Sequence, residues 1–201
     1  MSNLLPYRLH NPNDVVNGLF SLNVTGVDAG TFVSVVSADP SNAPIDQSTT
    51  SPGASFSHAY SYNWEVPNKI GPSASGDSKY DVLGVTLFDS FEADENGELY
   101  KFYARKRDEN QIITTGKAMP VLRAGLITLK SGAYSGTPTV GSVGVISNSG
   151  SGVITVTAVS AITGAASHHL VVGKFISDQA TGTTHGSTLD HGGYAWFVLG
   201  L

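Results

Sequence analysis

Alternation of apolar and polar positions is clearest over residues 117–130, KAMPVLRAGLITLK. Met119 and Val121 fall on one face of an extended segment, and Ile127 and Leu129 on one face of the next. Arg123-Ala124-Gly125 between them reads as a short loop in which Gly125 takes a positive φ at no steric cost. The pattern predicts a β-hairpin with one apolar side, which needs a covering sheet. Residues 19–24 alternate with Phe20, Leu22 and Val24 on one side, and 31–36 form a second, β-branched strand. Residues 80–88 (YDVLGVTLF) predict a third strand. Four short strands follow over 139–146, 153–159, 170–176 and 193–201, divided by Gly, Ser and Thr turns. In the last, GYAWFVLGL, both faces are apolar, so the strand is expected to be covered on two sides.

Two stretches break the rhythm. Residues 1–18, with Pro6 and Pro12, read as an extended N-terminal arm, and 39–78 as a long Ser/Pro-rich loop. That loop carries Phe56, Tyr60, Tyr62 and Trp64, too many aromatics for a disordered linker, which predicts an ordered loop laid on its own core or on a neighbour. One helix is expected, over 98–110, with Leu99, Phe102 and Tyr103 as its apolar stripe. The reading is a mainly β chain. It predicts an antiparallel small barrel or sandwich with one short helix, a single domain over 19–201 preceded by the arm.

Composition narrows the function classes. Charged residues make up 13% of the 201, against about 25% in an average soluble protein. That deficit fits a surface partly covered by partners, and equally a weakly polar monomer. The formal charge is −5 and there is no basic stripe, so nucleic acid is not an expected partner. Cysteine is absent, which removes disulfides and thiolate metal sites. No secretion signal and no apolar run of membrane-spanning length is visible, so no membrane partner is expected.

The candidate chemistry is thin. His185 and His191 flank Asp190 at a spacing that fits no common metal motif, and His168-His169 point to opposite faces of a strand. Asp94-Glu95-Asn96-Gly97-Glu98 departs from a calcium loop, because Gly stands fourth rather than sixth and Arg105 takes the place of the bidentate Glu; a turn is the better reading. Asp89 and Glu92 are a carboxylate pair with nothing to place them in a cleft. Asn23-Val24-Thr25 is read as a chance sequon. Neither a nucleophile elbow nor a phosphate loop occurs. Catalytic, cofactor and metal residues are therefore none, and the chain is read as no enzyme. Tyr7, Phe56, Tyr60, Tyr62, Trp64 and Trp196 are the candidate partner contacts, since aromatics anchor interfaces.

NPNDVVNGLFSLN followed by GTFVSVV, then DVLGVTLFD with ENGE and FYARKR, then TTGKAMPVLRAGLITL, resembles virion structural proteins of tailed bacteriophages. GKAMPVLRAGLITL with VVGKFISD and GYAWFVLGL is similar to a small-barrel module of the capsid decoration, or cement, proteins. The resemblance covers most of residues 10–201 and implies no catalytic residue or cofactor. It implies a protein made in the host cytoplasm that binds the outer surface of the expanded shell at capsomer junctions. The implied partners are the major capsid protein and further copies of itself, as a homotrimer, with the barrel self-associating and the arm and long loop gripping the shell. The alternative is a tail or head-fibre module binding host surface glycans through the aromatic loop.

Overall fold

The computed structural model describes residues 3–16, 20–22, 26–37, 68–74, 77, 80–114, 117–146, 151–163, 168, 170–178 and 193–200. Thirteen strands occur among them. The first six are β1 (Leu4–Leu9), β2 (Val15–Val16), β3 (Phe20–Leu22), β4 (Phe32–Ser37), β5 (Asn68–Pro72) and β6 (Val82–Thr86). After a short helix, α1 (Ala104–Glu109), come β7 (Val121–Leu122), β8 (Ala124–Lys130), β9 (Tyr134–Ser135) and β10 (Val143–Ile146). The last three are β11 (Ile154–Thr157), β12 (Val171–Phe175) and β13 (Tyr194–Gly200). They form a seven-stranded sheet, in the order β1-β8-β13-β12-β10-β11-β9, and a six-stranded sheet, β2-β7-β6-β4-β5-β3. Pairing is antiparallel except for β11 with β9 and β3 with β5. The expected mainly β class holds, as two sheets with one core between them.

That core follows from the period of two. On β13, Ala195, Phe197 and Leu199 turn inward and are buried, and on β8 Ile127 and Leu129 do the same in register with Phe197 and Ala195. They meet Phe32, Val85 and Leu122 of the other sheet. Phe197 sits at the centre, with ring centroids 4.8 Å from Phe175 and 6.1 Å from Phe32, both edge-to-face. Beneath its ring lie Gly144 and Gly173, paired across β10 and β12. A Cβ on Gly173 would stand 2.5 Å from Phe197 Cζ, and one on Gly144 2.8 Å from Cε2. Only glycine leaves room for that ring.

Apolar clusters lie on both faces of the six-stranded sheet, although Val35 and Val36 of β4 are exposed. Leu22, Val33, Ile70 and Val121 point away from the main core and pack with Val27 and Met119 in a second, smaller cluster. This explains near-continuous burial along β6, where a half-exposed strand would alternate.

Several expectations are corrected. Residues 117–130 are not a hairpin: β7 belongs to one sheet and β8 to the other, with Arg123 at the corner. The same ribbon crosses from sheet to sheet, and Gly125 has φ 138° with His10 packed close against it. The N-terminal segment is extended, but it runs beside this ribbon rather than standing off as an arm. β1 pairs with β8 and β2 with β7, while Arg123 N donates to Asp14 O at 2.9 Å. Within the expected 39–78 loop, Asn68–Pro72 is an interior strand, and Ile70 is fully buried. Its sequence, NKIGP, offers a single large apolar residue, so no alternation announces it. The expected 98–110 helix shrinks to Ala104–Glu109. Asp94 Oδ1 accepts from the N–H groups of Asn96 and Glu98, and this Asx turn holds 94–98 out of helical geometry.

Asp89 is used structurally. Its Oδ1 accepts the Ala29 N–H at 2.6 Å, and burial, with the Asp28 charge nearby, pushes its carboxyl above the usual range. A raised carboxyl pKa means that the folded state binds the proton more readily than the unfolded one. The ionised group thus costs stability at neutral pH, and the cost is relieved as pH falls through the folded value. Asp89→Asn keeps an acceptor for Ala29 and is expected to raise Tm at pH 7, with the gain shrinking toward pH 4. A Tm loss at pH 7 that is unchanged at pH 4 would contradict this.

Candidate functional site

The outer face of the seven-stranded sheet is largely apolar and partly open, with Thr128 buried within it. Register fixes one row across it: Leu9 on β1, Leu126 on β8, Val198 on β13, Lys174 on β12 and Val143 on β10. A second row places Thr128 beside Trp196, whose carbonyl accepts the Ile176 N–H. Leu9 is 67% exposed, Trp196 42%, Ile176 41% and Val198 40%. Exposed apolar residues are ordinary when scattered singly; here four of them lie on one face.

The sequence puts these side chains on one face for a simple reason. β13 is apolar at every position from Tyr194 to Leu199, so whichever side enters the core, the other remains greasy. The expected cover on both sides is found on one side only among the described residues. Thr128 is buried in this face and its hydroxyl has no hydrogen-bond partner. Electrostatically the face is apolar with a cationic accent. Lys174 lies beside Val198, Lys130 beside Tyr194, and no carboxylate occupies an outward position on β8, β12 or β13.

Trp196 is exposed on this face. Tyr7 has its backbone in β1, and its side chain lies outside the described residues, as do Phe56, Tyr60, Tyr62 and Trp64. Leu9, Leu126 and Val198 were missed by the sequence reading, although the alternation of β8 and β13 carried the signal for two of them. His168 is exposed, and His169, His185, Asp190, His191 and the 23–25 sequon lie outside the described residues. No group of three or more His, Cys, Asp or Glu that could hold a metal ion occurs among the described residues. No described helix is long and apolar enough to cross a membrane.

The charged segment serves as a clip. Lys106 bonds Asp94 and, at 2.9 Å, Glu98, tying α1 to the Asx turn. The ammonium holds the Asp94 carboxyl below its usual range. Leu99, Phe102 and Tyr103, expected as a packed stripe, are exposed, because the turn and the short helix present no single apolar face.

No family model matches the chain, and no curated protein is significantly similar to it.

Proposed function

We propose that this chain is a structural protein of a tailed-phage virion, one that decorates and stabilises the expanded capsid shell. The observation that carries the reading is the contrast between the two sheets. Apolar side chains pack on both faces of the six-stranded sheet, with Val35 and Val36 of β4 exposed, whereas the seven-stranded sheet leaves Leu9, Trp196 and Val198 exposed on one face with half-buried Leu126 between them. The low charge content and the resemblance of the segment pattern support the same class.

The mechanism is physical rather than chemical. A specific junction needs about 1,600 Å² of total buried surface, roughly 800 Å² on each side. The sheet face supplies an apolar centre, with Trp196 as the anchoring aromatic. A protein that docks only on the expanded lattice stabilises that state by mass action, in proportion to how selectively it binds it. The N-terminal strands are committed to the two sheets, so the gripping role assigned to the arm moves to this face, with the major capsid protein as its partner and self-association as a homotrimer alongside. The experiment is quantitative mass spectrometry of purified particles. A copy number close to that of the capsid protein is expected; a handful of copies per particle would mean a tail component instead.

A further inference from the structure

The charged turn clipped to α1 carries an asparagine followed by a glycine at its tip, Asn96-Gly97, and both are exposed. We infer that this pair is a site of spontaneous covalent modification, deamidation through a cyclic imide, and that Lys106 sets its rate by holding the turn closed.

The turn is a small hairpin. Ala93 and Leu99 pair as an isolated antiparallel bridge, and Asp94 N donates to Glu98 O at 3.0 Å. Gly97, at φ 81°, donates its N–H to Asp94 O at 3.0 Å, and Asn96 donates its own to Asp94 Oδ1 at 2.9 Å. A Cβ on Gly97 would meet nothing within 4 Å, so the space around this residue is open to water. Among the described residues the Asn96 side-chain amide has no hydrogen-bond partner, which leaves it free to turn toward the next residue. Electrophile and nucleophile thus sit on adjacent residues, and the attack is intramolecular.

The reaction needs only water. The Gly97 nitrogen attacks Asn96 Cγ, a C–N bond forms, and the side-chain nitrogen leaves as ammonia with the proton that Gly97 gives up. Water then opens the imide at either carbonyl. Opening at Cγ leaves an aspartate; opening at the main-chain carbonyl leaves an isoaspartate, in which the main chain runs through the former side chain. Either product adds one negative charge beside Asp94, Glu95 and Glu98. Isoaspartate also inserts a carbon ahead of Gly97 and Glu98, whose N–H groups both bond Asp94. The turn is then loosened irreversibly.

The fold restrains the first step. Gly97 N becomes a nucleophile only after releasing Asp94 O, so the rate follows the fraction of turns that are open. Lys106 bonds Asp94 and, at 2.9 Å, Glu98, the two ends of the loop. Its ammonium therefore keeps that fraction low, from a position outside the reacting atoms.

The test is to incubate the full chain at neutral and mildly alkaline pH beside a capped peptide of residues 92–99, and to follow Asn96 by peptide mapping. Isoaspartate is read separately by methyl transfer from labelled S-adenosylmethionine with an isoaspartyl methyltransferase. Conversion at Asn96 is expected, faster at the higher pH and with isoaspartate among the products. It should run about two- to tenfold slower than in the peptide, the restraint that one hydrogen bond supplies. Lys106→Met should remove most of that difference and Lys106→Arg should keep it, while Asn96→Gln should abolish the product. An Asn96 that stays intact after the peptide is consumed would overturn the site. A rate equal to the peptide's, or one unmoved by Lys106→Met, would overturn the control assigned to Lys106.

Discussion

Removing residues 1–16 is expected to abolish folding, not merely binding. The segment supplies an edge strand to each sheet. Leu4, 5% exposed, belongs to the main core, and its burial stabilises by about 1.5–3 kcal/mol. Three backbone hydrogen bonds outside the ladders go with it: Asn3 N to Ala29 O, Lys130 N to Asn3 O and Arg123 N to Asp14 O. Each contributes about 0.5–1.5 kcal/mol, and the ladder bonds of β1 and β2 are lost as well. The sum approaches the whole folding margin of about 5–15 kcal/mol. The truncated chain should show no cooperative thermal transition by circular dichroism. A soluble truncation melting within about 5 °C of the full chain would show that the N-terminal strands are only laid against the sheets.

Phe197→Ala should bring the second largest loss. The ring is fully buried, touches Phe175 and Phe32 edge-on, and covers the paired Gly144 and Gly173. Truncating a buried Phe costs about 3–5 kcal/mol, part of it from the cavity left behind. Two glycines beneath the ring have no side chains with which to collapse into that space, which places this site toward the upper end. For a chain of this length about 2–4 °C of Tm is lost per kcal/mol, so a fall of roughly 6–20 °C is expected. Phe197→Leu should recover more than half of it. A Tm drop under about 3 °C for the Ala variant would mean that the two sheets do not close on this ring.

Alternation and burial coincide on β13 and β10, which appear within one to four residues of their expected ends. β4 and β12 also lie within one residue of theirs, although burial does not alternate there, because β-branched and aromatic runs bounded by turn residues mark them. Corners are a different matter. Nothing in PVLRAGL tells a hairpin from a ribbon that bends between sheets, since both need the same two apolar rows; only the partners β1 and β2 decide it. β5 escaped because an interior strand with one large side chain gains its place from neighbours, not from its own propensity. The helix was overread where Leu99, Phe102 and Tyr103 suggested a stripe, while Asp94 capturing two backbone N–H groups favours the turn locally.

The candidate face was half legible. Trp196 stood out as an aromatic on the final strand, and it is exposed on the outer face. Leu9 and Ile176 could not be placed there from sequence, because their membership depends on strand order. β1 becomes a neighbour of β8 only through a pairing more than a hundred residues apart in the chain.

Docking through the open sheet face is tested most directly by the double variant Trp196→Lys/Val198→Lys, added to expanded shells stripped of the native protein. Both side chains point outward, so Tm should stay within about 3 °C of the unaltered chain. Shell occupancy at saturation should fall at least tenfold, because two ammonium groups would have to be desolvated at the centre of the contact. A folded double variant that fills the shell to the same occupancy as the unaltered protein would contradict the account.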